Sequence, residues 1–313
     1  MGGETTLGRA ASRSREISAR RFAQLAAGSL GALFLVVTSG AFVRLTGSGL
    51  GCENWPLCGD RPYPEQGYHA FVEFGNRIVA LVGIALALVT WLASRRVSGL
   101  PRAARLAALA AFLGTVAQIP LGGITIMLEL HPLAVMVHFL LALAVVALSV
   151  VVAVEAWGHF RGVAAPVGPR WWRLLAAAGV PVCLVLVVTG AVVTASGPHP
   201  GGDDVRRLGV EIVDTVWVHV RATAVYGIGL LVVGWWIARN RRAVPGIARL
   251  ALVLLGVLLV QMSVGEIQYR NALPWGLVLV HVFLAASIWA LTVAIAWILW
   301  RPPSSLIRAG PEA

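Results

Sequence analysis

Eight uninterrupted apolar runs, each close to the length of a bilayer crossing, leave this chain few possible folds. They fall at about 22–44, 70–93, 103–127, 132–156, 172–195, 212–238, 246–268 and 274–300. A helix needs roughly 20 residues to cross the hydrocarbon core, and only helices or closed barrels satisfy their backbone there. The runs are continuous rather than alternating, so they read as helices and not as barrel strands. The expected class is an all-α integral membrane protein. Composition agrees, with 58% hydrophobic and 12% charged residues against about 25% charged in a soluble domain. No single water-soluble core hides that much apolar surface.

A formal charge of +11 invites a nucleic-acid reading, but the placement of the charge argues against it. All 25 basic residues are Arg, and most sit in short clusters between the apolar runs. These are Arg9, Arg13, Arg15, Arg20 and Arg21; Arg95, Arg96, Arg102 and Arg105; Arg161, Arg170 and Arg173; Arg239, Arg241, Arg242 and Arg249; and Arg301 and Arg308. The alternate loops are acidic or mixed, with Glu53, Asp60 and Glu65, then Asp203, Asp204, Glu211 and Asp214. By the positive-inside rule both termini are expected to be cytoplasmic. The first run, with arginines before it, has the look of a signal peptide. Its counterpart, the fifth run, is internal, so a retained span is expected.

The chain repeats itself. An offset of 143 places Gln118 on Gln261, Gly122 on Gly265, Ile124 on Ile267 and His138 on His281. Pro132 and Pro274 match only after a one-residue slip in the loop. An offset of 150 places Gly40 on Gly190, Ala41 on Ala191 and Val43 on Val193. Two tandem four-helix bundles are expected, in the same orientation and related by an axis along the membrane normal. The expected divisions are a cytoplasmic segment 1–21, a first bundle 22–160, a cytoplasmic linker 161–171, a second bundle 172–300 and a cytoplasmic tail 301–313. The first outer loop is about seven residues longer than its counterpart, and the excess carries Cys52 and Cys58.

Of seven histidines, His69, His131, His159 and His199 lie in loops or at helix ends and need no special role. His138, His219 and His281 each sit roughly seven residues inside a span, about 10 Å deep at 1.5 Å per residue. Ionisable residues at such depth are functional candidates. His219 and His281 lie on alternate helices of the second bundle, where two axial imidazoles can hold a low-spin haem. The first bundle offers His138 alone, because the 143 offset sets Asn76 opposite His219. The register there is open by one residue, since Arg77 and Arg221 align at 144. Glu73 precedes Asn76 by three and shares its helix face. It is either a solvated boundary carboxylate or a proton acceptor and cation stabiliser beside His138. Arg44, Arg77 and Arg221, near outer helix ends, are either snorkelling or partners for haem propionates.

Cys52 and Cys58 fall outside the membrane, where disulfides persist. They form either a structural staple or a redox-active pair. Cys183, inside an apolar run, is expected to be a packing residue. The glycine-rich stretch at 47–51 is not followed by a βαβ unit, which excludes a phosphate loop, and no zinc-type spacing occurs.

These segments together resemble the haem A synthase family, bacterial form, over about residues 22–300. The resemblance is carried by TSGAFVRLTGSGLGCENWPLC, VEFGNR, QIPLGGITI followed by HPLAVMVHF, TGAVVTASGPHPGG, VWVHVRA, and QYRNALP followed by LVHV. It implies an enzyme of the cell membrane that oxidises the C8 methyl of haem O to a formyl group, giving haem A for cytochrome oxidase. It implies that His219 and His281 bind the iron of a haem b cofactor, and that His138 serves the substrate haem O. By the same resemblance Glu73 is catalytic, and Cys52 and Cys58 are the family's outer cysteine pair. One departure stands out: many members carry Glu-x-x-His in the second helix, where this chain has Glu73-Phe74-Gly75-Asn76. Haem O synthase, as a source of channelled substrate, and oxidase assembly factors are the implied partners, and a homo-oligomer is compatible with the sequence.

Two rivals compete with the enzyme. A di-haem electron-transfer cytochrome explains the histidine pair but neither Glu73 nor the lost ligand. A transporter with repeated halves predicts polar residues at mid-depth, whereas the helix centres here are plain Leu, Val and Ala.

Overall fold

A computed structural model describes residues 16–308, apart from positions 53, 62 and 66. Arg9, Arg13, Arg15 and Glu53, used above for orientation, lie outside the described residues. Among the described residues there are eight α-helices: α1 Ala19–Leu45, α2 Tyr68–Ser94, α3 Arg102–Met127, α4 Pro132–Arg161, α5 Arg170–Ser196, α6 Ile212–Arg239, α7 Pro245–Arg270 and α8 Trp275–Ile298. All eight are long and apolar enough to cross a bilayer. The protein is a multi-pass membrane protein.

Most helices run a few residues beyond their apolar stretch. The largest extension is in α4, which continues from the expected 156 to Arg161. Those added residues include Trp157, His159 and Arg161, amphipathic side chains that suit the polar boundary of a bilayer. Pro120 and Pro181 lie inside α3 and α5, as helices in lipid tolerate.

Within each half the helices close a ring. In the first, α1 packs on α2, α2 on α3, α3 on α4 and α4 on α1; α5 to α8 repeat the circuit. The halves meet through α1 and α4 against α8, with α4 also touching α5. The buried core straddles this seam, running from Leu33, Val37, Leu143 and Val146 to Trp289 and Val293. Trp289 reaches across it and donates its indole N–H to the Leu143 carbonyl at 2.8 Å. Cys183 is a fully buried free thiol in the same core. At the end nearer the termini, the first half packs through alanines on α1, α2, α3 and α4, including Ala26, Ala93, Ala104 and Ala156. Small residues let the helices approach closely where lipid supplies no hydrophobic drive.

The backbone repeats more faithfully than the side chains do. Glu129 and Leu130, before α4, both have left-handed φ, of 49° and 56°. Ala272 and Leu273, before α8, repeat this at 59° and 59°. The offset is 143 throughout, and α4 and α8 begin 143 apart. The expected slip at the prolines is therefore not needed. Pro132 is the first residue of α4, whereas Pro274 sits just before α8, because proline fits either side of a helix start.

The end near the termini is closed by chain segments outside the helices. Ser304 N–H donates to Gly162 O, Ala164 N–H to Pro302 O, Val167 N–H to Leu299 O and Arg308 N–H to Ala243 O. Residues 299–308 thus strap the 4–5 connection to the 6–7 connection. Nearby, Glu155 of α4 is buried and accepts from Trp297 Nε1 at 2.8 Å and Arg301 Nε at 2.6 Å.

Candidate functional site

One structural unit occurs four times at the opposite end, which carries the cysteine loop. A glycine on one helix faces a polar side chain on the next. A Cβ at Gly122 of α3 would lie 3.6 Å from His138 Cε1 on α4. At Gly265 of α7 it would lie 3.1 Å from His281 Cε1 on α8, and at Gly190 of α5, 3.0 Å from His219 Cε1 on α6. At Gly40 of α1 it would lie 3.9 Å from Asn76 Oδ1 on α2. The repeated glycines are the seats of the repeated rings.

Supporting hydrogen bonds repeat as well. Gln118 Nε2 donates to the His138 carbonyl at 3.2 Å, and Gln261 Nε2 to the His281 carbonyl at 3.0 Å. On the other pair of helices, Thr189 Oγ1 meets His219 Nδ1 at 3.1 Å, and Ser39 Oγ meets Asn76 Oδ1 at 2.7 Å. Thr189 gives its own proton to Leu186 O at 2.8 Å. Its oxygen must then accept from the His219 Nδ1–H, which leaves the lone pair on Nε2. That tautomer is the one that ligates a metal through Nε2. Ser39 Oγ lies 3.1 Å from Val36 O, but its proton goes to Asn76 Oδ1 at the shorter 2.7 Å, so on this seat the hydroxyl donates where Thr189 accepts.

The rings of His219 and His281 lie 6.5 Å apart between centroids. With metal–imidazole bonds of about 2 Å and roughly 1 Å from each ring centre to its nitrogen, one iron between them needs a separation of roughly 6 Å. The pair fits a bis-imidazole site. The Nδ1 atoms of His138 and His281 are buried without a hydrogen-bond partner among the described residues, a condition the protein alone leaves unexplained. No cluster of three or more His, Cys, Asp or Glu side chains suited to a bare ion occurs among the described residues.

Glu73 is not a solvated boundary residue; it is 5% exposed. Its Oε2 accepts the Cys52 N–H at 2.9 Å and its Oε1 pairs with Arg77 at 2.5 Å. Arg77 in turn donates to the carbonyls of Pro56 at 2.8 Å, Leu57 at 2.7 Å and Asn54 at 3.3 Å, and lies over the Trp55 ring. Cys52 and Cys58 are disulfide-bonded. The carboxylate and guanidinium of α2 therefore hold the whole disulfide loop. Two glycines let it close. A Cβ at Gly51 would meet the His69 backbone at 2.4 Å, and one at Gly123 would meet the Trp55 indole at 2.8 Å. Trp55 thus lies on α3 one residue from the His138 seat. In the second half the position of Gly123 is taken by Glu266, which is exposed and paired with Arg270.

Other sites differ from expectation. Arg44 donates to Thr194 O at 2.8 Å and His199 O at 2.9 Å, joining α1 to the second half. His199 also bonds Leu273 O at 2.7 Å, and His69 bonds Ser48 Oγ at 2.9 Å. Neither is a free loop histidine. Sequence gave no signal for these ties, because their partners are backbone carbonyls or a lone serine far away in the chain. Arg221 is exposed and stacks on Trp217. Two residues along the helix from His219, it does not share that face.

Adding a methyl group at Gly190 tests the ring seat. Gly190→Ala is expected to push the His219 ring by a few tenths of an ångström and to shift or broaden any absorption band arising from it. Gly179→Ala on the same helix, where a Cβ meets nothing within 4 Å, is expected to change neither the spectrum nor the melting profile.

The fold and these seats define a class: a polytopic membrane protein of two repeated four-helix halves, with a paired-imidazole site in one half and a covered single-imidazole site in the other. The chain belongs to the cytochrome oxidase assembly protein family, whose sequence model matches residues 23–198. It is similar to the haem A synthase of Symbiobacterium thermophilum, 28% identical over 82% of this chain and 88% of that protein. The haem A synthase of Bacillus pumilus is 29% identical over 34% of this chain. That match spans 36% of the B. pumilus protein's length. A third, from Geobacillus thermodenitrificans, is 41% identical over 19% of this chain and 17% of that protein.

Proposed function

We propose that the protein is a haem A synthase, an oxidoreductase that converts the C8 methyl of haem O to the formyl group of haem A for cytochrome oxidase. The facing pair of His219 and His281, 6.5 Å apart on glycine seats, is the observation that carries the reading. These two imidazoles would hold a resident haem b, which supplies one-electron redox chemistry when bound.

His138 is the proposed ligand to substrate haem O in the first half. Trp55 and the disulfide loop cover that half and limit water there. Glu73, one helical turn from Asn76, holds a carboxylate beside the same site and is the proposed acceptor for the proton that leaves the substrate methyl. Arg77 keeps it oriented. Arg221, two residues from His219 and stacked on Trp217, faces away from that imidazole, so the propionate role expected of it is not part of this reading. The arginine clusters at the ends of α2, α4 and α6 support a proposed topology in the bacterial cell membrane with the cysteine loop outside and both chain ends in the cytoplasm. The two halves act as the proposed substrate unit (22–160) and cofactor unit (172–300). Haem O synthase is the proposed source of the substrate, handed over within the membrane.

Pigment extraction tests the function. Cells that make haem O and express this chain are expected to accumulate haem A, and cells with empty vector only haem O. Purified protein that carries haem b, in cells that never form haem A, would sink the enzyme and leave an electron-transfer cytochrome.

A further inference from the structure

The four glycine seats hold three imidazoles and one carboxamide. Asn76 does not merely align with His219; it occupies the same place in the structure. It faces Gly40 as His219 faces Gly190, and it meets Ser39 where His219 meets Thr189, accepting a proton where His219 donates one. These equivalences settle the register at 143 by contact rather than by similarity. The position is thus equivalent in the two halves and differs in its chemistry.

That change is large for iron. Imidazole nitrogen suits iron, whereas a carboxamide offers a hard carbonyl oxygen better matched to Mg or Ca. Asn76 is also shorter than histidine by most of a ring, and its Oδ1 already accepts from Ser39 at 2.7 Å. The next imidazole along the same helix face is His69, two turns nearer the loop, and its Nδ1 bonds Ser48. On the opposite corner His138 keeps its seat at Gly122, and its backbone carbonyl keeps the bond from Gln118.

We propose that the first half holds its haem through His138 alone, and that Asn76, fixed by Ser39 in the place of the second ligand, keeps the other axial face of the iron free of any protein ligand. This rests on the reading of the first half as the substrate-haem site. One half is then closed at both axial positions and suited to electron transfer, and the other is open to a small exogenous ligand on the Asn76 side. An open face also leaves a single protein bond to break when the product departs.

Carbon monoxide is the probe. Full-length protein is purified with its haems from cells making haem O, reduced, and titrated with CO. Wild type is expected to carry two haems per chain, one of which binds CO, with a high-spin ferric signal before reduction. Asn76→His is expected to restore the fourth imidazole, lose the CO response and convert the high-spin signal to low-spin. Asn76→Gln, which keeps the carboxamide, should retain CO binding. Two haems and no CO binding in wild type would overturn the proposal, and a response regained in His69→Ala would name the ligand. CO binding that persists in Asn76→His would show that the position does not face iron. If wild type carries only one haem, and His138→Ala leaves it in place, the substrate-site reading itself fails and the proposal falls with it.

Discussion

His281→Ala is expected to strip the low-spin haem from the second half and to abolish haem A formation. Loss of a mere supporting hydrogen bond to a ligating histidine typically weakens metal binding by about 10–100-fold, so loss of an axial imidazole should exceed that. The effect should be local. The ring contacts Gly265, and the backbone carbonyl that accepts from Gln261 survives the substitution. α8 is held elsewhere along its length, through Trp289 to Leu143 O and through Trp297 to Glu155. Haem content per chain, low-spin absorption and extracted pigments are the measurements. The variant should still insert and still retain the haem that depends on His138. Undiminished low-spin absorption would exclude His281 as a ligand.

Substitution of Glu73 should be nearly as damaging, and two replacements separate its two possible duties. Glu73→Ala removes the acceptor for the Cys52 N–H and leaves the largely buried Arg77 without a counter-charge, held only by the carbonyls of Pro56, Leu57 and Asn54. Breaking a buried pair by deleting one partner costs about 3–5 kcal/mol where the other charge is left unpaired, and the carbonyls that Arg77 keeps should hold the cost below that range. The disulfide loop should loosen, and the Cys52 amide should exchange with solvent roughly 10–100-fold faster, as expected for a lost hydrogen bond to a charged group of about 1.5–3 kcal/mol. Glu73→Gln keeps an oxygen facing Cys52 but removes the charge. If the carboxylate accepts a proton during the reaction, Glu73→Gln should lose haem A while keeping the Cys52 amide protected. Should Glu73→Gln make haem A at the wild-type level, the residue only anchors the loop.

The fold was largely legible because lipid imposes a simple rule on it. Eight apolar runs gave eight helices with ends misplaced by a few residues, since apolar length marks the hydrocarbon and not the interfacial turns beyond it. The depth of His138, His219 and His281 was also readable, by counting along each helix. What they face was not. Gly40, Gly122, Gly190 and Gly265 were visible as repeats, but a glycine in an apolar helix has many uses, and only the packing shows each one seating a ring. Glu73 read equally well as surface or site, because nothing local in VEFGNR announces that a loop 21 residues earlier folds over it. The partners of Arg44 were hidden for a related reason. An arginine at a helix end looks free for a ligand until the carbonyls of Thr194 and His199, 150 and 155 residues away, are seen to take it.

The strap at residues 299–308 bears on the order of assembly. It follows all eight helices in the chain, and it bonds to connections laid down long before it, at Gly162, Ala164, Val167 and Ala243. During synthesis both halves are therefore threaded into the bilayer while the end near the termini is still unfastened. The first half can gather its helices, and the second can be laid against it, before anything ties the two connections together. A mutation that weakens the strap, such as Ser304→Pro with its lost N–H to Gly162 O, should therefore act late in biogenesis. It should leave the amount of inserted protein unchanged and shorten the lifetime of the finished molecule.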